Sequence, residues 1–340
     1  MIKKYLLFIC CLFSLHAFSQ IIKGAVYDEN KAPIAGAEVY LDGTSIWTTT
    51  NDTGNYELNA GKKINTTLVI NYLGYEKQVV PNPLDQDFIT TYMVPKETKL
   101  KEVTVVGEGA FKRADKLKVF REQFLGTTKA GKSCKILNED DIDFFYDIKT
   151  NQLVASSDNP VRIHNELLGY EIEFSLQEFY IDFRYKSIKS SDVRGWMIVG
   201  TTFYKDLATP EKSYVEARKN CYSGSQMQFY RKLIHRQLGN DNFKLIKRGK
   251  VCDQADYFTV VENDGYYDVT VKNTLLKPGD KYLQSFTLDH KEKKISYVIF
   301  NTPTFSIDGF GNNDAFREIN FSGEMSKNRA GDLLPWDYQE

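Results

Sequence analysis

The sequence predicts a small antiparallel β-sandwich followed by an α+β, mostly antiparallel domain. Three observations carry this. From Ile22 to Val80, short alternating apolar runs are cut by turn clusters at close spacing, the pattern of a sandwich. Beyond residue 111, strand-like runs are interrupted by a helical stretch from Glu211 to Gln237. The chain has 340 residues with 42% apolar and 14% aromatic side chains, enough for two domains with their own cores.

The elements follow in order. In Ile22 to Tyr27, Ile22, Gly24 and Val26 share one face, as period-two alternation requires. Asp28 to Pro33 turns the chain, because Asp and Asn bond their own backbone and Pro fixes φ. Ala37 to Leu41 is the second strand and Trp47 to Thr50 the third, the latter β-branched and aromatic. Asn51 to Asn55 is a turn whose Gly54 suits a positive φ. Tyr56 to Leu58 and Leu68 to Ile70 are further strands, and Leu73-Gly74-Tyr75 closes a hairpin.

Several strings in this stretch are specific. They are Gly24 with Val26, Pro33 to Ala37 with Val39, Thr50-Asn51-Asp52 with Gly54, Tyr56 and Leu58, and Tyr72 to Tyr75. Together they resemble the carboxypeptidase regulatory-like domain. The resemblance implies a transthyretin-like sandwich of about seven strands over residues 20–95. The N-terminal extension of TonB-dependent outer-membrane receptors is similar too, and Leu100 to Gly107 resembles the stretch that follows it there. A fold of this kind is a carrier, so function has to be argued from a site.

Residues 1–19 have the form of a signal peptide: Lys3 and Lys4, an apolar core from Leu6 to Leu15, and the small-x-small site Ala17-Phe18-Ser19. The apolar run is too short for a lasting membrane span, so an exported protein without a transmembrane helix is expected, in the periplasm or at the outer membrane. The formal charge is −1; loss of Lys3 and Lys4 leaves 42 basic and 45 acidic residues, or −3. Nothing forms the basic stripe of a nucleic-acid binder. Cys134, Cys221 and Cys252 would remain. Cys221 can pair with Cys252, and three buried free thiols is the simpler alternative.

Residues 96–110 read as a linker and 111–340 as the α+β domain. Phe111, Leu117, Phe120 and Phe124 are near helical spacing, so Phe111 to Phe124 is read as one amphipathic helix. Strand-like runs follow, among them Tyr170 to Leu176, Phe179 to Tyr185 and Gly195 to Tyr204. In the helical stretch Gly224 separates two helices, with Ser223 or Ser225 as a cap. Phe124-Leu125-Gly126, Cys134 to Asn138, Pro160 to Asn165, Leu168 to Tyr170, Tyr222 to Ser225 and Asp332 to Tyr338 resemble strings in a family of exported carboxypeptidase-like regulatory domain proteins. That resemblance spans essentially the whole chain and implies no activity.

Six motifs invite chemistry. Gly126 to Ser133 spells GxxxxGK[ST], but it follows an amphipathic charged run and precedes a strand and then acidic residues. A phosphate-binding loop needs a buried strand before and a helix after it, so a polar loop is expected. His164, His235 and His290 lack HExxH spacing, and Ser223-Gly224-Ser225 is not GxSxG, so no zinc-peptidase or serine-hydrolase set is expected. Glu139-Asp140-Asp141 with Asp143 lacks the glycine of a calcium loop. Trp47 with Tyr40 and Tyr56 could make an aromatic sugar platform. Tyr222, Ser225 and Arg231 could hold an acidic partner, against the alternative of a polar network bracing the helices.

The expectation is therefore a non-catalytic cell-envelope protein with a binding or assembly role. No catalytic residue, cofactor or metal is assigned. The expected partner is an envelope protein or a glycan, with Trp47, Tyr222, Ser225 and Arg231 as binding candidates. The alternative is an exported hydrolase with its site in residues 111–340. A small membrane barrel fits less well, because its strands need about ten residues and the helical stretch interrupts them.

Overall fold

The computed structural model describes residues 20–61, 63–96, 110–207, 212–239, 243–272, 283–290 and 294–340. The expected signal peptide and nearly all of the expected linker lie outside these residues.

The N-terminal unit is a sandwich of two sheets. Its strands are β1 (Ile21–Tyr27), β2 (Glu38–Leu41), β3 (Trp47–Thr49), β4 (Asn55–Asn59), β5 (Leu68–Asn71), β6 (Gln78–Val80) and β7 (Ile89–Tyr92). One sheet has the order β4-β1-β7 and the other β3-β2-β5-β6. β7 runs parallel to β1, and the remaining pairs are antiparallel. The turn chemistry is as the residues demand. Asn51 Oδ1 accepts from Thr53 N and Asn55 N, and Gly54 sits at φ 76°. Ile22, Val26, Val39, Leu41, Leu58, Leu68 and Ile70 fill the space between the sheets.

The chain from residue 110 builds two further apolar cores. The first forms under a sheet of β8 (Cys134–Ile136), β9 (Ile142–Asp147), β10 (Gln152–Ser157), β11 (Val161–Asn165), β12 (Tyr170–Phe183) and β13 (Val193–Asp206). α1 (Arg113–Phe124) lays Val119, Phe120 and Phe124 on it, with α2 (Lys129–Ser133) alongside. The two runs expected at Tyr170–Leu176 and Phe179–Tyr185 are one strand. A β-bulge between Leu176 and Glu178 absorbs the break in alternation. β12 meets β11 at one end and β10 at the other, and β13 runs along its opposite edge.

α3 (Lys212–Tyr222) and α4 (Gln226–Ile234) lead into the second core. Gly224, at φ 81°, separates them, and Ser225 Oγ caps α4 by accepting from Gln228 N at 3.1 Å. Here β14 (Lys244–Lys247), β15 (Lys250–Val251), α5 (Gln254–Tyr257), β16 (Phe258–Asn263), β17 (Tyr266–Val271), β18 (Gln284–His290), β19 (Lys294–Phe300), β20 (Thr304–Asp308) and β21 (Ile319–Gly323) form two antiparallel sheets, β15-β14-β18-β19-β21 and β16-β17-β20. α4 buries Phe229, Tyr230 and Leu233 against them.

Candidate functional site

The sandwich is joined to the rest of the chain through the β2–β3 turn and the face of β2. Asp42 Oδ1 accepts from Thr202 N at 2.6 Å, Gly43 N donates to Thr202 O at 2.8 Å, and Tyr204 N donates to Thr44 O at 3.3 Å. The turn thereby extends the open edge of β13, supplying partners that edge groups otherwise lack. Beside it Tyr40, Val69 and Phe203 form a small buried cluster shared by both units. Lys205 lies over the Phe203 ring at 4.8 Å and pairs with Glu38 Oε1 at 2.8 Å. Burial pushes the Asp42 carboxyl up to about 6, against the backbone N–H groups and Lys77 that favour its charge.

A C-terminal strap closes the assembly. Trp336 N donates to Gly43 O at 2.8 Å, and Asp337 accepts from Ser45 N at 2.7 Å and Ser45 Oγ at 2.5 Å. Arg231 donates to the carbonyls of Phe310, Trp336 and Tyr338, each at 2.8 Å. Phe310, from the loop after β20, is buried in the sandwich core itself. Nearby, Asp308 Oδ2 accepts from Asn65 N at 2.7 Å.

Between the sandwich loop 71–77 and the outer face of β11 and β12 lies a cleft of about 770 Å³. Tyr72 and Tyr75 form one wall, their centroids 5.8 Å apart, and Leu73 in the same loop is 94% exposed. Arg162 and Glu173 are directly opposed across the β11–β12 ladder and so lie on one face, at the floor. At the inner end Lys77 Nζ donates to Ser175 Oγ at 2.8 Å and Tyr40 OH at 3.2 Å. Burial lowers the affinity of Lys77 for its proton, while Glu173, Glu38 and Asp42 work in the opposite direction.

A second cavity of about 540 Å³ opens beside the α3–α4 junction. Ser223 Oγ lies 3.3 Å from His290 Nε2, and Cys221, Glu324 and Lys294 line the same space. The His290 ring covers Gly224, where a Cβ would come within 2.7 Å of Nδ1, so the turn requires glycine. The nearby amides are engaged within the chain: Gly224 N donates to Gln228 Oε1 and Ser225 N to Tyr222 O.

The residues singled out from sequence are distributed as follows. Trp47 is 45% exposed and packs edge-on to Phe203 at 5.9 Å. The platform with Tyr40 and Tyr56 is not formed: Tyr40 faces the joint and Tyr56 is buried beneath Gly24. Tyr222 is buried against Tyr338, Ser225 is the α4 cap, and all three Arg231 bonds go to the chain's own carbonyls. The Gly126–Ser133 run is not a plain polar loop. It includes α2, capped by Thr128, whose hydroxyl donates to Asp332 Oδ1 at 2.6 Å. Gly131 is needed because Leu125 O and Gly126 O approach too closely for a Cβ. The acidic run is bound to its surroundings through Arg121 on Glu139 and Asn138 on Asp141. Cys134, Cys221 and Cys252 are free and half-buried, and Cys221 and Cys252 pack against different cores. Among the described residues no three His, Cys, Asp or Glu side chains gather closely enough to hold a metal ion.

Asp42, Lys77, Phe203 and the pair Arg162 and Glu173 carry no mark in the sequence, and Ser223 and His290 are marked there only separately, not as a pair. The strap's Trp336-Asp337-Tyr338 was visible only through the family resemblance, because its partners lie in distant parts of the chain.

Comparison with known proteins decides the N-terminal unit. Residues 22–105 match the family model described as CarboxypepD_reg-like domain. The sandwich is similar to that domain. A curated relative, the TonB-dependent receptor SusC of Bacteroides thetaiotaomicron, is 34% identical over 119 residues, which are 34% of this chain and 11% of that protein. The chain therefore spans about a tenth of the receptor's length. A solved chain from a type II cohesin–X-dockerin complex of Acetivibrio cellulolyticus aligns at 20% identity over 22% of this chain and 51% of its own, with a TM-score of 0.19, too low to bear on the fold. The sandwich contributes Tyr40, Asp42 and the 71–77 loop to the joint and the cleft. Among the described residues no helix is long and apolar enough to cross a membrane.

Proposed function

We propose that this is a non-catalytic cell-envelope protein whose CarboxypepD_reg-like domain serves a binding or assembly role. The observation that carries the reading is the similarity of that domain to the matching part of a TonB-dependent receptor. The signal-like first nineteen residues support an envelope address. The joint supports a binding role, because it seats the sandwich with its 71–77 loop beside an open cleft, Lys77 being tied to Ser175 of β12. Fractionation of cells expressing the full sequence tests the address. Recovery with the envelope is expected, and recovery in the cytosol alone would sink it.

A second reading, an exported hydrolase, is favoured by one pair. Ser223 and His290 lie within reach of a nucleophile–base arrangement in a cavity. Turnover of an ester, peptide or glycoside panel that disappears in Ser223→Ala would establish this reading in place of the first.

A further inference from the structure

The interdomain cleft is built from both units, so neither part of the chain contains it alone. Its volume, about 770 Å³, falls within the range of small-ligand clefts, roughly 300–1,000 Å³. Tyr72 and Tyr75 are half-exposed at the cleft wall, tilted 43° to each other, with their inner sides on the sandwich core. The opposite side offers a guanidinium and a carboxylate, Arg162 and Glu173, on adjacent strands. Five acidic and three basic side chains line the whole, an excess of negative charge that weighs against an anionic ligand. An apolar ligand would strand these charges without water.

The combination calls for a molecule with apolar C–H faces for the rings and hydroxyls that both donate and accept. We propose that the cleft between the sandwich loop 71–77 and the β11–β12 face binds a neutral oligosaccharide. Tyr72 and Tyr75 stack on a pyranose face, while Arg162 donates to ring hydroxyls and Glu173 accepts from them. This deepens the binding role proposed above and rests on it.

The test is a printed array of neutral and acidic oligosaccharides, probed with the protein expressed from its full sequence. Saturable binding to neutral members is expected. Arg162→Ala and Glu173→Gln should each weaken it about tenfold or more, the scale of one charged hydrogen bond. Tyr72→Ala should do the same if its melting temperature shows it folded, and the remote Val261→Ser should leave binding unchanged. A blank array, binding confined to acidic glycans, or binding indifferent to both charge variants would overturn the assignment. A blank array with the protein still in the envelope fraction rejects the cleft ligand alone. Cytosolic protein that still binds neutral sugar rejects the envelope address alone.

Discussion

Tyr40 of the sandwich lies flat on Phe203 of the neighbouring sheet, ring centroids 4.3 Å apart and planes 12° from parallel. Phe203 is fully buried and Tyr40 nearly so, although each belongs to a different unit. Phe203→Ala should therefore cost about 3–5 kcal/mol, the usual range for a large buried aromatic. Chemical denaturation would measure the loss. Limited proteolysis should then release a folded sandwich faster than from the unaltered protein.

The strap is anchored at both ends of a short run. Asp337 accepts from Ser45, and Arg231 holds the carbonyls on either side of Asp337. Each of Arg231→Ala and Asp337→Ala should destabilise by at least about 1–3 kcal/mol, since partners are left unsatisfied. The double variant should lose less than the sum, with a coupling of about 0.5–3 kcal/mol. Strict additivity in a double-mutant cycle would show that the two contacts act independently.

Gly43 admits no side chain. It sits at φ 75°, and a Cβ there would come within 2.5 Å of the Trp336 ring. Gly43→Ala should destabilise by more than about 1 kcal/mol, because backbone strain adds to the clash. Combining it with Trp336→Ala should recover part of the loss in thermal melting.

Asp42 gives the joint a pH dependence of known sign. Its folded pKa, about 6, exceeds the ordinary value of 3.8 because burial disfavours the charge. The folded state thus holds this proton more tightly than the unfolded one. The contribution is fully present below about pH 4 and is lost as pH rises through about 6. Asp42→Asn keeps an acceptor for Thr202 N but cannot ionise. Its stability relative to the parent should rise between pH 4 and pH 6, and a flat difference across that window would contradict the assignment.

Cys134 and Cys221 are both pushed up to about 12, chiefly by burial, with Asp332 acting in the same direction. Neither should be a thiolate at neutral pH, and the thiolate is the reactive form. A disulfide exchange reagent should modify them slowly in the folded protein and quickly after denaturation. Rapid modification of either thiol in the native state would count against the burial described.

The sandwich was legible because its signals are local. Asn51, Gly54 and Asp28 make their turns within a few residues, and Val39, Leu58 and Ile70 alternate along single strands. The α3–α4 break was legible for the same reason, through Gly224 and Ser225. Phe203 was not, because a buried aromatic reads alike whether it faces its own core or another unit. The cleft was not either: Tyr72 and Glu173 are ordinary surface residues until docking sets them opposite each other. Residues 111–340 read as one domain, since alternation marks which residues are buried but not which core receives them.

The bond between Ser45 and Asp337 joins residues 292 positions apart. Closing so long a loop costs chain entropy that local turns never meet. Contacts of this span form after the local ones in a folding chain, so the sandwich can acquire its shape well before it is seated. Until then the edge of β13 and the Phe203 ring remain uncovered. An open seam would thus expose aggregation-prone surface even in a protein whose parts are already folded.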